Sequence, residues 1–333
     1  MKEGILKMAN TTYTGNLTQS KGSEKFRGIV CGKDVAKKGF GYVDSPAKAA
    51  KDGNPAKNPY RSLKFFLSTS NDNKPVIEII GSPKEFAYAY SKKEKKSMKI
   101  EWAKRNNKLP GDYELMIPEY DLAEKLNKEL KDGSEVVIVG EPKFSVYDNP
   151  KSGVSEEQIS NTIKYVYPVT EPINFNAEDF KEESTFAQDI VVRDFSEDTK
   201  IGKGYLFCYI VGYAGKFNTA TFEINITTMD QSFYRNLKSL KFGDSIRVNG
   251  IVHNRQLKKE VSTGWGTSED VNDGFKKCFE ITGADGSSLI KKRYKEIDFV
   301  ESQVDATFAG KINVPADKPE DKVEEGVLPF PLG

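Results

Sequence analysis

The sequence contains few of the residues that catalysis and metal binding require. Its 333 residues include one histidine, His253, and three widely separated cysteines, Cys31, Cys208 and Cys278. A zinc site needs clustered Cys or His ligands, and a disulfide framework needs an even set of cysteines, so neither is expected. Each cysteine lies in an apolar, strand-like run, and we therefore expect free thiols in a reducing cytoplasm.

Long apolar runs and phosphate loops are also lacking. No run approaches the roughly twenty apolar residues that span a membrane, and the opening residues have no signal-peptide core, so no membrane partner is expected. GIVCGKD at 28–34 has three residues between its glycines, where a phosphate loop has four, and Asp34 replaces the Ser or Thr. With no catalytic set, cofactor motif or metal site, we expect a binding protein and not an enzyme.

The sequence does contain a repeated pattern. LKDGSEVVIVG at 130–140 and LKFGDSIRVNG at 240–250 share a leucine, a glycine three residues later and a second glycine seven residues after that. Each stretch joins the end of a helical pattern to an apolar or alternating run. The repeat predicts one structural unit used twice, although helix caps followed by bulge glycines occur in many β-rich domains.

The elements around both stretches have the same order. The predicted strands are 24–35, 62–69, 74–82, 135–144 and 162–170 in the first unit and 189–195, 204–213, 219–228, 245–254 and 276–284 in the second, with helices at 118–133 and 229–244. Three strands, a helix and two closing strands are the layout of the OB-fold. We predict a mainly β protein with short helices and two OB-fold-like Greek-key barrels in tandem. A β-sandwich or a non-repetitive α+β chain is the alternative.

These elements divide the chain into predicted segments. They are an N-terminal arm (1–23), OB-fold-like domain 1 (24–172) with a basic insertion (83–117), a linker (173–188), OB-fold-like domain 2 (189–314) and a disordered acidic C-terminal tail (315–333). The tail has five acids, two lysines and repeated prolines, a composition that cannot bury a core.

Binding chemistry is concentrated in the insertion. The net charge of the chain is +1, but Lys84 to Lys108 contain nine lysines and arginines against three glutamates, interleaved with Phe86, Tyr88, Tyr90 and Trp102. A single nucleic-acid strand offers phosphates to cations and base faces to aromatic rings. The insertion therefore predicts a nucleic-acid interface. The alternative is a solvated insertion whose aromatic rings pack on the barrel.

The loops of both units extend this prediction. Residues 33–64 hold eight basic and three acidic residues, and in OB-folds this loop and the loop between strands four and five border the oligonucleotide groove. In the second unit, Tyr209 lies on an aromatic strand face that is either a stacking platform or a domain interface. The candidate nucleic-acid-binding residues are Lys37, Lys38, Phe40, Tyr42, Tyr60, Arg61, Tyr88, Tyr90, Lys92, Lys93, Lys95, Lys96, Trp102, Lys104, Arg105, Tyr209, Lys216, Phe217, Arg255, Lys258, Lys259 and Trp265.

The C-terminus carries a resemblance to a known family. Glu324 and Glu325 precede Leu328, Pro329 and Phe330, which is similar to the acidic run and Ile-Pro-Phe-like tip of bacterial and phage single-stranded DNA-binding proteins. In that family the tip recruits replication and repair proteins, and the resemblance implies this role for the five residues. Lysines interrupt the acids here, and three residues follow Phe330.

With the barrel layout, the chain resembles single-stranded DNA-binding proteins of the tandem OB type. The resemblance implies a phage-encoded protein of the host cytoplasm, a monomer or weak oligomer, which protects single strands during DNA replication, recombination or repair. RNA stays open as a ligand, because stacking and phosphate contacts do not read the 2′-hydroxyl. The alternative is a phage structural or assembly protein without DNA affinity.

Overall fold

A computed structural model describes residues 17–34, 39–49, 57–149, 153–262 and 268–299, and within 256–275 it describes the backbone of the strands and not the side chains. The predicted tail and most of the predicted N-terminal arm lie outside the described residues. So do Lys37, Lys38, Trp265, Glu324, Glu325, Leu328, Pro329 and Phe330. Lys258 and Lys259 lie in a described strand, but their side chains are outside the described part.

The first barrel is closed by strands from the N-terminal half of the chain. In chain order, this half contains β1 (Gly22–Cys31), β2 (Gly41–Ser45), β3 (Tyr60–Ser68), β4 (Val76–Gly81), β5 (Phe86–Ser91), β6 (Lys96–Glu101), β7 (Tyr113–Met116), α1 (Glu119–Glu129), β8 (Glu135–Gly140), β9 (Pro142–Asp148), β10 (Ser155–Thr162) and β11 (Tyr165–Pro168). β3 pairs antiparallel with β1 and β4, and β1 with β8. The closing strand is β10 with β11, which pairs parallel with β4 and antiparallel with β8. This is the strand order of an OB-fold barrel.

The second barrel repeats this order. Its elements are β12 (Glu183–Asp198), β13 (Lys203–Val211), β14 (Phe217–Asn225), α2 (Gln231–Ser239), β15 (Ser245–Ser262) and β16 (Ser268–Ile290). β12, β13 and β14 form an antiparallel meander, β16 lies parallel to β14 and antiparallel to β15, and β15 returns to β12. The prediction of a mainly β chain with two OB-fold-like barrels is confirmed.

The first glycine of the repeated pattern ends each helix in the same way. Gly133 and Gly243 have φ values of +90° and +81°, in the left-handed region that glycine adopts without steric cost. Their N–H groups donate to the carbonyl oxygens of Val30 and Val192, at 2.8 and 2.9 Å. Both acceptors lie on the first strand of their barrel, so each glycine turns the chain from its helix onto that strand.

The second glycine allows two strands to approach closely. A Cβ at Gly140 would lie 1.7 Å from the carbonyl oxygen of Thr162, and one at Gly250 would lie 1.8 Å from that of Glu280. In both barrels the neighbour belongs to the closing strand. The repeat in sequence therefore reflects two backbone constraints that each barrel has to meet.

The two barrels are joined through their first strands. β1 pairs antiparallel with β12, Gly22–Arg27 against Glu183–Gln188, so one sheet passes from barrel to barrel. Below this sheet, Phe144 of the first barrel lies 6.1 Å from Phe222 and 6.3 Å from Phe279 of the second, measured between ring centroids. The apolar core is continuous across the junction.

Several elements differ from the sequence prediction. β12 begins at Glu183, inside the segment predicted as the linker 173–188, because its first residues pair with β1. The insertion is a separate sheet in the order β6-β5-β7, hereafter the insertion sheet.

No helix of the described residues is long and apolar enough to cross a membrane. Within the same residues, no group of three or more His, Cys, Asp and Glu side chains could hold a metal ion.

Candidate nucleic-acid interface

The insertion sheet presents two aromatic rings to solvent. Tyr88 and Tyr90 lie on its central strand, β5, and are 51% and 37% exposed. Ala87 and Ala89 alternate with them and are buried, so both rings are on one face of the sheet. Two residues along a strand separate the rings by about 7 Å. The two rings can thus stack on neighbouring bases of an extended strand.

Lysines surround these rings. The turn between β5 and β6 exposes the predicted residues Lys92, Lys93 and Lys95, and Lys96 at the start of β6 is also exposed. Lys99 on β6 is in register with Tyr88, and its Nζ lies 3.5 Å from the centroid of the Phe86 ring. Lys92 is 3.3 Å from Glu114, but both groups are well solvated, so the pair holds the lysine weakly. Cations and rings therefore share one accessible surface.

Trp102 and Arg105 make contacts within the protein that the sequence prediction did not include. The Arg105 guanidinium lies 4.1 Å above the Trp102 ring and donates to both carboxylate oxygens of Asp121 on α1, at 2.6 and 2.9 Å. The edge of Trp102 contacts Tyr120. That these two residues contact nucleic acid stays a prediction; within the protein, one face of the ring and the fork of the guanidinium are occupied. They attach the insertion to the first barrel.

Arg61 also makes contacts within the protein, and its contact with nucleic acid stays a prediction. It forms ion pairs with Asp44 at 3.0 Å and Glu124 at 2.5 Å, and its guanidinium lies 4.1 Å above the Tyr120 ring. These contacts bind β3 to β2 and α1. The neighbouring candidate Tyr42 is half-buried and packs against the core. Of the remaining lysine candidates, Lys104 is exposed beside Glu101 and Lys216 is exposed on the second barrel; like the exposed Tyr60, they stay predictions.

The outer face of β3 carries a stacked aromatic pair. Phe40, a predicted residue, lies face to face with Phe66, with ring centroids 4.4 Å apart and an interplanar angle of 19°. Phe66 is half-buried and lies on the same outward face of β3 as Lys64. The intervening residues Leu63, Phe65 and Leu67 are buried in the core. The structure thus brings a predicted aromatic residue together with a ring and a lysine on one barrel face.

In the second barrel the aromatic strand face is covered by the chain itself. Phe299 stacks on Tyr209 at 4.1 Å between centroids, and Phe217 contacts both rings edge-on at 5.1 and 5.0 Å. Phe299 occupies one ring face of Tyr209, and base stacking by Tyr209 and Phe217 stays a prediction. The opposite face of β13 lies in the core, as predicted, with Leu206, Cys208 and Ile210 buried.

Arg255 joins the two barrels. It pairs with Asp72 at 3.0 Å and with Glu182 at 2.5 Å. Glu182 also accepts hydrogen bonds from Thr69 and Asn73 of the first barrel, both at 2.6 Å. Its guanidinium links the β3–β4 loop and the residue before β12 to β15, and its contact with nucleic acid stays a prediction.

Comparison with known proteins identifies the family. A family model named YorF matches residues 47–311. The chain belongs to the YorF family. Among solved structures it is similar to the wild-type single-stranded DNA-binding protein from Thermus aquaticus, at 10% identity and a TM-score of 0.40, over 80% of this chain and 93% of that chain. A deletion mutant of the Thermus aquaticus protein gives 9% identity and a TM-score of 0.38, over 80% and 94%. No curated protein sequence matches. Strand pairing defines the two barrels.

In this YorF-family chain, the sequence prediction missed Phe66. The signal was present, because strict alternation in SLKFFLS places Lys64 and Phe66 on one face and the core residues on the other. The sequence prediction also missed Tyr165 and Tyr167, a second exposed pair on β11. Among the described strands β11 pairs with β8 alone, and this edge position follows from the strand pairing and not from the sequence.

Proposed function

We propose that this YorF-family protein binds single-stranded DNA independently of sequence and acts as a binding protein and not as an enzyme. The observation that carries the proposal is the exposure of Tyr88 and Tyr90 on one face of the insertion sheet, among exposed lysines. Stacking on an aromatic side chain contributes about 1–3 kcal/mol per base and tolerates any base. Lysines beside the rings contribute phosphate contacts that weaken with salt.

The outer face of the first barrel supports the same proposal. The Phe40–Phe66 pair and Lys64 lie on β3, and OB-folds bind oligonucleotides on this strand face and its bordering loops. The insertion is attached to the barrel through the ion pair of Arg105 and Asp121. In the cell, we propose that the protein protects single strands in the cytoplasm during replication, recombination or repair, and that its C-terminal residues recruit partners.

Fluorescence anisotropy of a labelled oligo-dT, at low and high salt, tests the proposal. We expect Tyr88→Ala and Tyr90→Ala each to lower the affinity about tenfold or more, because each removes a stacking ring. Tyr88→Phe and Tyr90→Phe keep the ring and should retain affinity. Tyr213→Ala is the matched control, since Tyr213 is 84% exposed on the second barrel, outside the insertion sheet.

Two results would count against the proposal. If the wild-type protein shows no salt-sensitive affinity for oligo-dT, the proposal of single-strand binding is wrong, and this result favours the alternative of a structural or assembly protein. If the protein binds but both alanine variants match Tyr213→Ala, the insertion sheet is not the stacking site.

A further inference from the structure

An ion pair joins β3 and β4 on the outer face of the first barrel. Lys64 on β3 and Glu78 on β4 are in register, and Lys64 Nζ lies 2.9 Å from Glu78 Oε2. Both side chains are largely shielded from solvent. The pair lies two residues from Phe66, on the same side of β3, and therefore about 7 Å along the strand from the stacked rings.

A second lysine approaches the same carboxylate from β9. Lys143 is in register with Ser160 on β10, and the Ser160 hydroxyl donates to Glu78. Burial by itself would raise the pKa of Glu78, but Lys64, Ser160 and the charge of Lys143 together hold it below its ordinary value. Glu78 is therefore ionised at neutral pH and attracts both ammonium groups.

The third lysine comes from the other barrel. Lys277 on β16 is in register with Asn254 on β15, whose side chain donates to the carbonyl oxygen of Lys74 just before β4, at 2.6 Å. The Lys277 side chain is exposed at the surface. Desolvation and repulsion from Lys64 lower the pKa of Lys277 to about 8, and the attraction of Glu78 opposes this shift.

We infer that Lys64, Lys143 and Lys277 form a cleft that binds a backbone phosphate of the single strand where it passes from the first barrel to the second. The inference rests on the proposed function and assigns it a phosphate site. The Glu78 carboxylate attracts lysines from three strands, and a phosphate bound beside them relieves the repulsion among the ammonium groups. A base stacked on the Phe40–Phe66 pair would place its phosphates within reach of Lys64.

The cleft gives strand binding a characteristic pH dependence. Lys277 loses protonation as the pH rises through about 8, whereas a bound phosphate favours the ammonium form. The charged groups that act on Lys277 are Lys64 on β3 and Glu78 on β4, and Lys143 on β9 acts on the same Glu78. The neighbours Lys276 and Cys278 alternate to the other side of β16. Strand binding should therefore take up a proton, and affinity should fall between pH 7 and pH 9.

The test measures the affinity for oligo-dT at pH 7 and pH 9 over a range of salt concentrations. We expect Lys277→Met to lower the slope of log affinity against log salt by about 0.7, the value of one single-strand phosphate contact. Lys277→Arg should keep the slope but lose the fall in affinity, because arginine stays protonated. Lys143→Met should also lower the slope and provides a second, independent variant.

Lys238→Met is the matched control, since Lys238 lies on α2 and pairs with Glu197 at 2.8 Å, away from the cleft. The cleft is refuted if Lys277→Met and Lys143→Met both keep the slope of this control. The proposed function survives that outcome if the Tyr88 and Tyr90 variants still lose affinity. If the wild-type protein does not bind oligo-dT, both proposals fail together.

Discussion

Replacing Arg255 by alanine distinguishes a structural role of this side chain from a role in nucleic-acid binding. In the structure, its guanidinium binds Glu182 and Asp72, which lie 73 and 183 residues away in sequence. The variant leaves both carboxylates without this partner. We therefore expect Arg255→Ala to lower the free energy of unfolding while the phosphate contacts of the bound strand stay the same.

The burial of the three groups sets the magnitude. Breaking a buried ion pair costs about 3–5 kcal/mol, whereas an exposed pair contributes about 0–1 kcal/mol. Arg255 and Glu182 are 26% and 18% exposed, but Asp72 is 56% exposed and contributes little. Because Glu182 keeps its hydrogen bonds from Thr69 and Asn73, we expect a loss of about 1–2 kcal/mol, below the fully buried limit.

Urea unfolding followed by intrinsic fluorescence measures this loss, and oligo-dT titrations over a range of salt concentrations measure the phosphate contacts. Asp72→Ala is the matched control and should cost less than about 1 kcal/mol. A variant Arg255→Ala with wild-type stability and a salt slope lowered by about 0.7 would refute the reasoning, because the guanidinium would then contact a phosphate.

The remaining predictions concern the cores of the barrels. Burial raises the pKa of Glu24 well above its ordinary 4.5, with Glu141 adding to the effect and the Thr162 backbone opposing it. The folded state therefore loses stability as the pH rises from about 4.5 towards the raised pKa, at about 1.4 kcal/mol per pKa unit of the shift. Glu24→Gln should gain stability relative to the wild type over this range in urea unfolding, and a difference independent of pH would contradict the assignment. Gly140→Ala should lose about 2–3 kcal/mol, since its Cβ would overlap a backbone oxygen, whereas Gly286→Ala, with open space around it, should be neutral in the same assay. Equal stabilities of the two alanine variants would show that the closing strand can shift.

The order of elements could be predicted because it follows from local patterns. Apolar alternation indicates strands, and the helical spacing of α2 is closed by Gly243, whose positive φ a glycine adopts freely. The same signals did not reveal β2 or the insertion sheet. In FAYAYS, alanine alternates with aromatic residues, which is a weak strand pattern. The segment is identified as a strand by its pairing with β6 on one side and β7 on the other.

For the candidate site, residue type predicted the chemistry better than it predicted the position. The lysines and tyrosines of the insertion sheet are exposed, as binding requires. Arginines were less predictable, because Arg61, Arg105 and Arg255 all bind carboxylates of the same chain. A guanidinium is the preferred partner of a buried carboxylate as well as of a phosphate, so sequence does not distinguish the two roles.

The sequence by itself determined the two barrels, because a helix end, a left-handed glycine and a close strand approach are short-range constraints that recur at 130–140 and 240–250. Only the tertiary structure decided which charges meet. The pairing of β1 with β12 holds the barrels together, and Arg255, Glu182 and Asp72 satisfy one another across that junction. It also brings Lys277 beside Lys64 and Glu78. Such contacts join residues far apart in the chain, and their energies depend on burial, which local sequence does not specify.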